Sequence, residues 1–137
     1  MKVLIDTNVI LDALMVRQPW AESAQNILRA VAGEKVEGFI TASTITDIYY
    51  LLDRGLKDKM RTKQVVLALL SSISVLDVNG TDCRKAFELP MSDYEDALLA
   101  YCGKRHRVDL IVTRNPKDFV GSPVNALSPD ELLKKLR

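Results

Sequence analysis

Three aspartates, Asp6, Asp47 and Asp96, occupy comparable places in the chain. Asp6 ends the apolar run Val3-Leu4-Ile5, and helical spacing follows it. Asp47 lies in the first turns of a helical pattern that follows a second strand-like run. Asp96 lies one turn into a helical pattern that opens at Ser92. Helices that connect parallel strands start at the strands' carboxyl edge, the edge where ligands bind in open α/β sheets. All three acids therefore point towards one rim. Carboxylates gathered together disfavour one another's ionised form, and the usual reason to keep them together is a hard cation. Mg²⁺ or Mn²⁺ prefers oxygen ligands and keeps several waters, which leaves room for a phosphate. The pattern does not suit Zn²⁺, because His106 is the only histidine and Cys83 and Cys102 lack ligand spacing.

Each acid also has an ordinary role to weigh. Asp is a good N-cap, so Asp6 can simply start the following helix. Acids in a first turn oppose the macrodipole, which is sufficient for Asp93 and Glu95 and, taken alone, for Asp47. Asp96 resists that account. In Ser92-Asp93-Tyr94-Glu95 a capping box is already complete without it.

The elements that must position these residues follow from apolar periodicity. Val3-Leu4-Ile5 is too short for a helix and suits a strand buried on both faces. Val9, Ile10, Ala13 and Leu14 predict the first helix. A second runs from Trp20 to Ala32, with Ala24, Ile27, Leu28 and Val31 inward and Gly33 as its C′ residue. Residues 38–42 read as the second strand. Ser43 caps a third helix carrying Ile45, Ile48, Tyr49 and Leu52, which Gly55 stops. The charged stretch from Arg54 to Lys63 reads as a solvated turn, Val65 to Leu70 as a helix and residues 73–76 as a strand. Asn79 to Leu89 is a short helix with Cys83, Ala86 and Phe87 inward. The helix from Ser92 carries Tyr94, Ala97, Leu98 and Tyr101 on its inner stripe. Residues 109–113 form the next strand, 124–126 a short extended piece, and Ser128-Pro129-Asp130-Glu131 opens the last helix. Strands alternate with helices throughout. The expectation is one α/β domain over residues 1–137, doubly wound, with a mostly parallel sheet of four to five strands between helices.

Composition narrows the partners. The chain has 137 residues, 47% hydrophobic and 27% charged, with a net charge of +1, so a nucleic acid must be held by a local basic patch. Met1-Lys2 leads straight into a strand without a cleavage-site pattern, and no apolar run approaches the ~20 residues of a membrane span. A cytoplasmic protein with reduced, packed cysteines and no membrane partner is expected. Lys104-Arg105-His106-Arg107 ends the helix that Asp96 begins. It should therefore lie near the opposite edge and be solvated.

Together, Asp6-Thr7-Asn8-Val9, Asp96-Ala97 at a helix start, Ile111-Val112-Thr113-Arg114-Asn115 and Lys117-Asp118-Phe119 resemble a PIN domain, over nearly the whole chain. The resemblance implies a metal-dependent ribonuclease of the VapC type, the toxin of a toxin–antitoxin pair, with RNA as substrate, a small antitoxin as partner and a homodimeric state. It implies Asp6 and Asp96 as Mg²⁺ or Mn²⁺ ligands with Asp47 beside them, and Asn8 bracing the turn at Asp6. Asp47 stands where the family usually has Glu, one methylene longer. Asn115 stands where many members have a fourth acid, and offers a carbonyl without charge, which weakens the case for a second ion. Asp118 and Asp93 are the nearest supplementary carboxylates. Arg114 and Lys117, in the loop after Thr113, are candidates for phosphate contact. Two other classes stay open: a degenerate PIN domain that binds RNA or protein without cutting, and a receiver-like or phosphatase-like domain in which Asp6 accepts a phosphoryl group.

Overall fold

A computed structural model describes residues 1–137. Its centre is β1 (Lys2–Ile5), whose Val3, Leu4 and Ile5 are wholly buried. Four further strands join it: β2 (Glu37–Thr41), β3 (Ser74–Leu76), β4 (Leu110–Val112) and β5 (Ala126–Leu127). All pairings are parallel, in the order β3-β2-β1-β4-β5. The helices are α1 (Thr7–Leu14), α2 (Ala21–Ala32), α3 (Ala42–Leu56), α4 (Lys59–Ser72), α5 (Gly80–Ala86), α6 (Tyr94–Arg105) and α7 (Pro129–Lys135).

Side chains alternate across a strand, and the core divides accordingly. Val3 and Ile5 of β1, with Leu110 and Val112 of β4, join the cluster formed by α1, α2, Ile48 of α3, Leu69 of α4 and Leu132 of α7. Leu4 and Ile111 point to the other face, with Leu99, Ala100 and Cys102 of α6, Phe119 and Val124. Both faces are thus covered, as the doubly wound expectation requires. Gly103 lets α6 lie close on β1: a Cβ there would meet Val108 Cγ2 at 3.0 Å and Leu4 Cδ2 at 3.1 Å.

The chain steps outward from β1 to β2 and β3, then crosses back to β4 and β5. Connections from β1 and β4 leave in opposite directions, which makes the β1/β4 boundary the topological switch point. A crevice opens there at the strands' carboxyl ends.

Several local expectations are corrected. The charged stretch from Arg54 to Lys63 is mostly helical, with a break only at Lys57 and Asp58. Asp58 caps α4 by accepting from the Arg61 N–H at 3.1 Å. Charges on an exposed helix face do not end a helix. Gly55 does not stop α3, since Lys57 takes the left-handed conformation (φ 53°). Gly33 is the C-cap of α2 with φ −83°, and Glu34 (φ 59°) supplies the left-handed turn. The N–H groups of Glu34 and Lys35 bond Val31 and Ala30 carbonyls in a Schellman arrangement. Trp20 precedes α2, and Thr41 rather than Ser43 is the N-cap of α3. On α5, Phe87 faces solvent, and on α6 Tyr94 is exposed while Ala97, Leu99 and Ala100 are buried.

Arg105 is exposed at the helix end as expected, but it is paired rather than free. Its Nε and Nη2 donate to the wholly buried carboxylate of Asp82 at 2.7 and 2.8 Å, and Nη2 also donates to Asp77. Burial pushes the Asp82 carboxyl up, but the hydrogen bonds from Arg105 and the Asn79 cap, with the guanidinium charge, hold it below its ordinary value overall. The pair ties α5 to α6.

Candidate active site

Asp6 both caps α1 and lines the candidate site. Because β1 passes directly into α1, the side chain after Ile5 sits at the carboxyl edge with extended backbone (φ −69°, ψ 150°). Its Oδ1 accepts from the Thr7 N–H and its Oδ2 from the Thr113 hydroxyl, both at 2.8 Å. Thr113 follows β4, so this bond closes the switch-point crevice from its two sides.

Asn8, two residues along, accepts the Arg114 N–H at 3.2 Å and braces the same loop. The Asn115 N–H turns back to the Thr113 hydroxyl at 3.3 Å. The loop after β4 is therefore fastened to the β1–α1 junction by side-chain bonds that no local periodicity reveals.

A cavity of about 270 Å³ lies beside this junction, lined by Asp6, Asp47, Glu95 and Asp96 with Ser43, Thr44, Tyr94, Leu98 and Leu99. Three of these acids are the ones sequence spacing singles out. Glu95 is the one it assigns elsewhere. The structure shows why: Asp93, not Ser92, is the N-cap of α6 and accepts the Asp96 N–H at 3.0 Å. With the cap shifted by one residue, Glu95 is released to line the cavity. The acidic run Asp93-Tyr94-Glu95-Asp96 was the available signal, hidden by the capping-box pattern.

The electrostatics of the cluster follow from its crowding. Asp96 is pushed up to about 7, first by burial and then by the charges of Asp6, Asp93, Asp118 and Glu95. Burial and the Asp47, Asp93 and Asp6 charges raise Glu95. Burial raises Asp6 too, although the bonds from Thr113 and Thr7 and the Arg114 charge oppose it.

The basic side of the loop differs from expectation. Arg114 is engaged inward: its Nε donates to Asp12 Oδ2 at 3.0 Å, its Nη2 bonds the other Asp12 oxygen, and its guanidinium lies 3.8 Å from the Trp20 ring centroid. Asp12 is buried, so this pair fixes the loop to α1. Lys117 is exposed, in the short 3₁₀ turn Pro116–Phe119.

The donor set fits a hard divalent cation in its chemistry: oxygen only, negatively charged and mutually repelling. No three carboxylates, cysteines or histidine converge closely enough to hold an ion by themselves. Waters that Mg²⁺ or Mn²⁺ retains would bridge the remaining distance. Beside Asp6, the Thr7 hydroxyl is buried without a partner, the kind of orphan that an ordered water satisfies.

Comparison with known proteins agrees with this architecture. The ribonuclease VapC1 of Aquifex aeolicus (strain VF5) is 24% identical over 139 residues, spanning 98% of this chain and 94% of that protein. A DNA-bound VapBC from Salmonella typhimurium superposes with a TM-score of 0.70 at 18% identity, covering 94% of this chain and 98% of that one. A toxin–antitoxin complex from Klebsiella pneumoniae gives 0.67 at 21% identity, covering 93% and 97%. The family model described as PIN domain matches residues 2–117, from β1 to the loop after β4. That span holds every acid of the cavity and displaces the receiver-like alternative: this chain belongs to the PIN domain family.

Proposed function

We propose that this chain is a metal-dependent endoribonuclease and the toxin half of a toxin–antitoxin pair. The observation that carries the reading is the cavity at the switch point, which Asp6, Asp47, Glu95 and Asp96 line together, with raised carboxyl pKa values at three of them. The similarity to a ribonuclease VapC1 and to toxin–antitoxin complexes supports it.

Asp6 and Asp96, with Asp47 and Glu95 alongside, are the residues that would hold Mg²⁺ or Mn²⁺. When bound, such an ion polarises a phosphoryl oxygen and lowers the pKa of a water for in-line attack. The chain's own groups prepare that site. Thr113 and the Thr7 N–H hold the Asp6 carboxylate in one orientation. Burial and the neighbouring carboxylates push Asp96 up to about 7, and a cation that offset those charges would favour its ionised form. Lys117 is the free cation of the loop and takes a phosphate of the RNA. Arg114 acts mainly by anchoring that loop through Asp12. Single-stranded or looped RNA is the substrate, because its backbone can enter a recessed cavity.

A small antitoxin and a second copy of the chain are the protein partners of this reading, and the cytoplasm is its compartment. No helix is long and apolar enough to cross a membrane. Exposed Tyr50, Met60 and Leu67 on α3 and α4 supply apolar surface for a protein partner.

A second reading, RNA binding without cleavage, is favoured by Asn115 in place of an acid. Incubating the purified chain with cellular RNA in Mn²⁺ or in EDTA, then mapping new RNA ends, separates them. Discrete cuts that require Mn²⁺ support the nuclease, and bound but intact RNA supports the alternative.

A further inference from the structure

Two aromatic rings stand outside the core at the edge of the acidic cavity. Phe87, the C-cap of α5, and Tyr94, the first residue of α6, stack with centroids 4.1 Å apart and planes inclined by 25°. Phe87 is 74% exposed and Tyr94 38% exposed. Tyr94 lines the cavity with Asp6, Asp47, Glu95 and Asp96. Its hydroxyl donates to the Cys83 carbonyl at 2.7 Å, which fixes the ring against α5. Tyr94 therefore backs one face of Phe87, and the rest of the Phe87 ring meets solvent. Arg84, three residues before Phe87, is exposed too, with its guanidinium lying back over Gly80.

An apolar ring kept in water beside a polar site calls for an occupant. A flat π-face backed by a second ring that itself lines the acidic cavity matches an unpaired nucleobase. We propose that Phe87, backed by Tyr94, is the stacking platform for an unpaired base of the RNA strand whose phosphate lies at the cavity. The proposal rests on the ribonuclease reading above. Every base has a π-face, so the platform selects for single-stranded character rather than for sequence. The link through Tyr94 to the acidic cavity favours RNA over a protein partner.

The test measures affinity in EDTA, so that nothing is cut. Fluorescence anisotropy compares a short mixed-sequence single-stranded RNA with an abasic ribose-phosphate strand of the same length. Phe87→Ala removes an exposed ring and leaves the core intact. It should weaken binding of the RNA by about fivefold or more and leave the abasic strand unaffected. Phe87→Trp should restore the RNA affinity. Unchanged RNA affinity in Phe87→Ala overturns the proposal, and assigns the rings to a protein contact if a partner is lost instead. An equal loss for the abasic strand overturns it as well. Wild-type protein that neither binds RNA in EDTA nor cuts it in Mn²⁺ overturns the ribonuclease reading, and this proposal with it.

Discussion

The hydroxyl of Thr113 donates to the carboxylate of Asp6 at 2.8 Å, across 107 residues of sequence, and joins the carboxyl ends of β4 and β1. Thr113 is buried, so the bond is made away from bulk water. It holds down the pKa of a carboxyl that burial raises. Thr113→Val keeps the shape and deletes the donor. A hydrogen bond to a charged group contributes about 1.5–3 kcal/mol. Urea denaturation should show a loss of that order, with weaker Mn²⁺ binding, and Thr113→Ser should recover most of both. A Val variant with wild-type stability and Mn²⁺ affinity would show that the bond positions nothing.

The cluster should also govern stability against pH. Asp96 has a folded-state pKa raised from 3.8 to about 7, so between those values the folded state binds more protons than the unfolded. Stability of cation-free protein must then fall as pH rises through that window. Asp96→Asn should flatten the decline and raise the melting temperature near neutral pH. Mn²⁺ should stabilise the wild type more than the variant, because it binds only the assembled cluster. A variant that melts lower, with the same Mn²⁺ response, would make Asp96 a structural residue.

Asp82 gives the opposite sign. Its carboxyl is held below the ordinary value, so its contribution is present above the unfolded pKa of 3.8 and is lost as pH falls through the folded one. Arg105→Met would leave this wholly buried carboxylate without its guanidinium. The carboxylate would keep only the Asn79 N–H, so the change should be clearly destabilising. Chemical denaturation at pH 7 should show that loss, and a loss within about 0.5 kcal/mol would place the pair among weak surface bridges.

Glu95 should behave as a member of the cavity rather than as a cap. Asp93 already accepts the Asp96 N–H, so Glu95→Gln should leave the start of α6 intact while weakening Mn²⁺ binding. Calorimetric titration against Asp93→Asn, which weakens the cap, distinguishes the two roles. Unchanged affinity in Glu95→Gln would remove it from the site.

The fold and the main acids were legible because both rest on strong periodic signals. An unbroken Val3-Leu4-Ile5 has few alternatives to a buried strand, and Asp6, Asp47 and Asp96 follow from where helices begin in a parallel sheet. What stayed hidden depends on single-residue shifts or on long-range partners. Moving the α6 cap from Ser92 to Asp93 changes the role of Glu95. A hydrophobic stripe placed Phe87 inward, but it stacks on a ring from the next helix instead. Arg114 and Arg105 read as free cations, because their partners Asp12 and Asp82 lie 102 and 23 residues away.

The most direct test of the account is RNA cleavage in Mn²⁺ by wild-type protein, Asp6→Asn and Asp96→Asn, with folding checked by circular dichroism. The account predicts discrete cleavage by the wild type, abolished by EDTA, and loss in both variants despite native folding. Each loses a charge from the group that would hold the ion, an interaction that supplies several kcal/mol in the transition state. Metal-dependent cleavage at wild-type rates by both folded variants would contradict it.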